Sequence, residues 1–310
     1  ARGKLNCGVS TGLAGFALPD ANNVWQGFDV AVCRAVAAAV LGDSTAIEFV
    51  PTTGKTRFTA LASGEIDMLS RTTTWTLSRD VDLKFDFQGV NYYDGQGFMV
   101  PKEMGITSAK DLGGATVCIQ TGTTTELNLA DFFRVNNMSY EPVPVEKNSE
   151  SRALYLAGAC DVYTTDASGL AATRATFENP GDHVILDEII SKEPLGPLTR
   201  HGDNQWGDIV RWTLNALIAA EELGVTSANL AEMAAAPTNN PEINRLLGTE
   251  GTLGAYLGLS ATWAVDALAV AGNYAEIFEA HVGVNTPVGL ARGLNALWKD
   301  GGILYTPPFR

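Results

Sequence analysis

The chain is short of the residues that carry most enzyme chemistry. Among its 310 residues are three histidines (His183, His201, His281) and four cysteines, none of them in a CxxC pair. That spacing offers no zinc site. No GxGxxG follows a strand-like run, and Gly54-Lys55-Thr56 lacks the earlier glycine of a phosphate-binding loop. No Ser-His-Asp arrangement is evident. No apolar run reaches the length of a membrane-crossing helix; the nearest stretch, Ala31 to Leu41, is too short and contains Arg34. Positive charge is also scarce, with 21 Lys and Arg against 35 Asp and Glu, a net charge of −14. Such a balance argues against nucleic acid and against anionic membrane surfaces as partners. It leaves open a small anion held by one local arginine.

What is present reads as globular. Apolar residues make up 45% and charged residues 18% of a chain long enough for two domains. The cysteines fall into two groups, Cys7 with Cys33 and Cys118 with Cys160. One disulfide within each group is expected, and with it an oxidising compartment; the alternative is four buried free thiols. The sequence starts at Ala1 with no Met and no basic-then-apolar leader, so a mature form is expected.

Strand-like and helix-like segments alternate along the first half. Leu5–Val9 leads into the small-residue loop Ser10 to Phe16. A helix opens after Gly27 and ends near Gly42, with Asp29 in its first turn. Ile47–Val50 is a strand stopped by Pro51, and Arg57 to Ser63 is a helix with a glycine stop. A short buried strand after Gly64-Glu65 then ends in Ser70-Arg71-Thr72-Thr73-Thr74-Trp75-Thr76-Leu77-Ser78-Arg79. Strand, helix, strand, helix, strand predicts a parallel sheet with right-handed crossovers. Hydroxyls and free amides at the end of such a strand stand where open α/β sheets bind small ligands. Arg79 adds a planar fork that fits a carboxylate.

A second unit begins near Thr116. Its strand runs into Gln120-Thr121-Gly122-Thr123-Thr124, the N-terminus of a helix and a candidate anion cradle; a capping box of Thr123 with Glu126 is the plainer role. Glu141–Val145 resembles an edge strand. Asp161–Asp166 is a strand ending on an acid, for which N-capping is the plainer role. Further helices are expected at Thr213–Glu222, Ile243–Leu247, Trp263–Ala271, Tyr274–His281 and Pro287–Trp298. The collected polar groups are an arginine, several threonines and one acid, with no nucleophile or base beside them. An arginine complements an α-carboxylate and an aspartate an α-ammonium, so the set reads as a binder of zwitterions rather than a catalyst.

Gly27-Phe28-Asp29-Val30-Ala31, Ser63-Gly64-Glu65-Ile66-Asp67, the threonine run with Arg79, Gly122-Thr123-Thr124 and Asp161 to Asp166, in that order and spacing, resemble the periplasmic solute-binding proteins of polar amino-acid ABC importers. Gly272 to Glu279 and Gly293 to Trp298 look like the general L-amino-acid-binding branch. The resemblance implies an α/β fold of two lobes, the type II periplasmic binding protein fold, with parallel-core sheets and a hinge of two crossings near Gly95–Val100 and Pro194–Leu198. Residues 1–97 with 197–310 would form the first lobe, with a helical extension from about residue 225, and residues 98–196 the second. It implies that Arg79 grips the ligand α-carboxylate, helped by Thr74 and Thr124, while Asp166 and Thr72 receive the α-ammonium. Thr123 and Trp75 belong to the same candidate set. The family often places an aromatic where this chain has Leu13, which suggests a roomier pocket and several L-amino acids as ligands. Arg71 and Lys55 are the positive charges expected nearest the ligand side chain, with a solvated surface role the alternative for each. No cofactor and no metal are implied. The partners implied are a free L-amino acid and the permease subunits of an ABC importer, with the chain a periplasmic monomer whose signal peptide has been cleaved.

Overall fold

The computed structural model describes residues 2–310. It contains two five-stranded sheets of the same design. The first runs in the order Ile47–Thr52, Leu5–Ser10, Met68–Leu69, Leu198–Arg200, Phe85–Phe87. Its first three strands are parallel, and Leu198–Arg200 pairs antiparallel with both of its neighbours. The second runs in the order Glu141–Val145, Thr116–Gln120, Val162–Asp166, Gln96–Pro101, His183–Ile185. Again three strands are parallel, and Gln96–Pro101 is antiparallel to both neighbours. Between the sheets the chain crosses twice, and the crossing strands Tyr92–Asp94 and Glu193–Leu195 pair antiparallel, Tyr93 opposite Pro194. The two-lobe type II periplasmic-binding-protein architecture follows from these two sheets and their two-strand ribbon.

Glycine sets the limits of the first long helix, Phe28–Leu41. Gly27 precedes it at φ +126°, where a Cβ would lie 2.3 Å from the Phe16 carbonyl oxygen, and Gly42 ends it in the left-handed conformation. Its Ala/Val face is buried against the first sheet. Cys33 on this helix is bonded to Cys7 on the first strand, and Cys118 is bonded to Cys160 beside the second sheet; the Cα separations are 6.2 and 5.6 Å. Each bond therefore lies within one lobe.

The C-terminal part is helical as expected at Pro241–Leu246, Trp263–Ala271 and Tyr274–His281. The helix expected at 213–222 starts earlier, at Asn204, because Asp203 accepts the Trp206 amide and so supplies the cap. No helix forms over 287–298. Only a short 3₁₀ turn, Gly293–Asn295, occurs there, since Pro287 lacks a donor and Gly289 and Gly293 take φ of +70° and +50°. These segments fold back on the first lobe. Trp263–Ala271 packs along Phe28–Leu41, and Tyr274 meets Phe28 edge-on at 5.6 Å. They also reach the crossing ribbon: the Tyr274 hydroxyl donates to the Asn91 carbonyl at 2.7 Å.

Candidate functional site

The parallel strands of both sheets end facing each other, and a cavity of about 40 Å³ lies between them. Larger hollows exist, such as one of about 250 Å³ beside Trp206. What distinguishes the inter-lobe cavity is the convergence of buried charged groups from two sheets. From the first lobe it is lined by Ser10, Leu13, Arg57, Arg71, Thr72 and Thr74; the second supplies Gln120, Thr123, Thr124, Asn148, Asp166 and Ser168, among others.

Local backbone features present these groups. Thr72 sits at φ +39°, a rare conformation for a β-branched residue, and its amide is caught by the Asp29 carboxylate at 3.1 Å. The same carboxylate accepts the Ser70 hydroxyl at 3.2 Å. Burial pushes Asp29 up to about 6, although Ser70, Thr72 and Arg71 all oppose the shift. Asp29 thus anchors the turn that carries Arg71 and Thr72. On the other lobe, Thr123 caps its helix by accepting the Glu126 amide at 3.2 Å, so the capping role is real alongside its place in the cavity lining.

Asp166 behaves differently from a cap. It stands at the N-cap position of helix Ala167–Arg174 but accepts no helix amide. Its Oδ1 is shut off from solvent and has no hydrogen-bond partner. Burial, then Asp94 and Glu193 nearby, push this carboxyl well above the usual range, while Arg57 and Arg79 pull it back. An unpaired buried carboxylate oxygen is costly, and a cationic group in the cavity would satisfy it.

Arg79 is buried, and its Nη1 donates to the Thr74 carbonyl at 2.8 Å. It stands behind Thr74 rather than in the cavity wall, with its guanidinium 5.2 Å over the Phe58 ring. Burial lowers it to about 10. Trp75 is not brought to the cavity. It lies 41% exposed on the outer surface, stacked on Phe87 at 5.5 Å with its indole N–H donating to Asp80 at 2.6 Å. Successive residues of an extended segment point to opposite sides, so Thr74 facing inward puts Trp75 outside. Lys55 is exposed and outside the cavity lining; the surface role fits it.

Two residues escaped sequence reasoning. Arg57 is 2% exposed and lines the cavity. Its Nη1 donates to Thr73 Oγ1 at 3.1 Å and its Nη2 reaches the Gly122 carbonyl across the cleft at 3.4 Å, while Nε has no partner. A cation in a helix's first turn opposes the helix dipole, and that mismatch was the available signal. Glu193, on the crossing ribbon, is 1% exposed. Its carboxylate accepts Thr74 Oγ1 from one lobe, and from the other Thr124 Oγ1 at 2.9 Å and Asn128 Nδ2 at 2.7 Å. One hinge carboxylate therefore ties both lobes together. The lobes also meet at Thr53 and Glu146, 3.2 Å apart.

A two-lobed α/β protein with a closed, charged cleft at facing sheet ends defines the class as a solute-binding protein. Residues 5–229 match the model of the bacterial extracellular solute-binding proteins, family 3, and the chain belongs to that family. It is 64% identical over 310 residues to the glutamate/glutamine/aspartate/asparagine-binding protein BztA of Rhodobacter capsulatus, covering 100% of this chain and 91% of that one. It is 58% identical over 312 residues to the general L-amino acid-binding periplasmic protein AapJ of Rhizobium johnstonii, with the same coverage. Among solved structures, the Brucella ovis ABC transporter/periplasmic binding protein with glutathione bound superimposes with a TM-score of 0.97 at 55% identity. The match covers 100% of this chain and 97% of that one.

Proposed function

We propose that this protein binds free L-amino acids in the inter-lobe cavity, in the periplasm, and hands them to the membrane permease of an ABC importer. It acts by binding and release, without turnover. The observation that carries the reading is the unpaired, buried Oδ1 of Asp166 facing a cavity otherwise rimmed by threonine hydroxyls and arginines. That arrangement complements an α-ammonium on one side and an α-carboxylate on the other. In this reading Asp166 takes the ammonium, with Thr72 beside it. Arg79, Thr74 and Thr124 take the α-carboxylate, with Thr123 completing that wall. Leu13 contributes an apolar, non-stacking surface that suits several side chains.

The moving units are residues 1–97 with 197–310 and residues 98–196, hinged on the crossing ribbon, and the ligand favours the closed form by touching both. Relatives named for several amino acids, or for L-amino acids in general, support breadth. A thermal-shift screen with the twenty L-amino acids tests the proposal, since a ligand of the native state raises the midpoint by mass action. Shifts with several L-amino acids and none with their D-forms are expected. No shift with any amino acid would refute it.

A further inference from the structure

We infer that Arg57 and Arg71 form a second anion subsite in the same cavity, one that takes the side-chain carboxylate of a dicarboxylic L-amino acid. This deepens the amino-acid reading and rests on it. Three guanidiniums surround the cleft: Arg57, Arg71 and Arg79 are 2%, 5% and 6% exposed. Among the described residues none of the three has a carboxylate within ion-pair distance; the ion pairs present lie elsewhere. A buried charge without a close partner is strongly destabilising, and a single α-carboxylate, given to Arg79, leaves two guanidiniums uncompensated.

The hydrogen bonds single out the same pair. Arg71 is held through its Nε, which donates to the Thr52 carbonyl at 3.0 Å. Its two outer nitrogens make no hydrogen bond to protein among the described residues, and its side chain lines the cavity. Arg57 also lines the cavity, with its Nε–H unpartnered. The two enter from adjacent strand ends, Arg71 after Met68–Leu69 and Arg57 after Ile47–Thr52. They repel each other: burial and then Arg71 and Arg79 hold Arg57 well below its usual value. The nearby acids are already engaged, Glu193 by Thr74, Thr124, Asn128 and Ser191, and Asp29 by Ser70 and Thr72. A ligand bringing a second negative group relieves this repulsion, and a fork of donors is suited to a carboxylate.

Calorimetric titration of the full chain with L-glutamate and L-alanine tests the assignment, because the two ligands share the backbone zwitterion and differ in the side-chain acid. The wild type is expected to prefer glutamate by tenfold or more, flagged here as an order of magnitude for a charge-assisted contact. Arg57→Gln and Arg71→Gln should each shrink that preference about tenfold. Using the ratio of the two affinities cancels any general effect on lobe closure, such as loss of the Arg57 contact with Gly122. Wild type binding alanine as tightly as glutamate would overturn the inference without any variant, as would variants in which both affinities fall together. Wild type that binds neither ligand nor any other amino acid would instead defeat the amino-acid reading beneath it.

Discussion

The side-chain amide of Asn295 pairs with both backbone polar groups of Tyr93, 202 positions earlier. Its Oδ1 accepts the Tyr93 amide at 2.7 Å and its Nδ2 donates to the Tyr93 carbonyl at 3.1 Å. Asn295 is buried, and Tyr93 lies on the crossing ribbon. The side chain thus acts as one more rung on the hinge strand's free edge. Asn295→Ala removes it and leaves two backbone groups underpaired, at a cost of roughly 1–3 kcal/mol. A lower melting midpoint for the unliganded protein is the expected result, and Asn295→Asp should be no better, because a carboxylate cannot donate to the Tyr93 carbonyl. Melts that match wild type would show the rung to be dispensable.

Closure can be probed separately from ligand contacts. Gly54 takes no left-handed φ, yet a Cβ there would lie 2.7 Å from the Thr121 backbone oxygen and 3.2 Å from Thr123 Cγ2 on the opposite lobe. Gly54→Ala should therefore penalise the closed form while leaving the open form unstrained. Ligand affinity should fall by about 1–3 kcal/mol, roughly fivefold to a hundredfold. The unliganded melt should hold or rise slightly. Calorimetry giving wild-type affinity would mean that the lobes bind without approaching this closely.

Arg79→Ala and Asp166→Ala each strip one end of the zwitterion site. The expected loss is roughly 2–5 kcal/mol in affinity for every amino acid tested, because the ligand's matching charge is left unpaired in a closed cleft. Arg79→Lys should bind poorly too, since an ammonium cannot reproduce the fork. Neither alanine variant should unfold the protein. An Asp166→Ala protein that binds glutamate and alanine as before would remove Asp166 from the site.

Binding should depend on pH in one direction. The Asp166 carboxyl is raised above its ordinary value, chiefly by burial and then by Asp94 and Glu193. Over the window between the ordinary and the raised value the folded chain holds a proton that the unfolded chain has lost. Stability of the unliganded protein from this group therefore declines as pH rises through that window. The ligand ammonium needs the ionised form, so affinity should do the opposite, weakening as pH falls and levelling off above the window. Titrations from about pH 5 to about pH 8, in buffers of differing ionisation enthalpy, should register a proton released on binding. A flat affinity with no proton release would contradict the assignment.

Much of the fold was legible because it is written in local signals. Gly27 and Gly42 bracket a helix, and the strand ends carry their threonines in the open. The site was legible where the family pattern carries it, at Thr74, Thr124 and Asp166. It was not legible where long-range geometry decides. Arg57 reads as an ordinary helix start until the second lobe closes over it. Glu193 lies one residue before the Pro194–Leu198 segment singled out in the sequence, and its role depends on partners up to 119 positions away. Trp75 shares its neighbours' composition but not their direction. The expected helix over 287–298 failed because apolar spacing outweighed two glycines and a proline in the reading, whereas in the chain the backbone preference wins.

The strand order of the first sheet also dictates a sequence of assembly. Leu198–Arg200 lies between Met68–Leu69 and Phe85–Phe87, so Phe85–Phe87 has no neighbour until residues made much later arrive. All five strands of the second sheet fall within residues 96–185 and need nothing from outside. A chain emerging N-terminus first can complete that second half early, while its opening third waits with an unfilled gap beside Met68 and Leu69. Local pairings form fast and distant ones slowly. The early stretch is thus the one exposed longest to proteases and to unwanted partners, and its first lasting bond, between Cys7 and Cys33, joins the only strand and helix that can already meet.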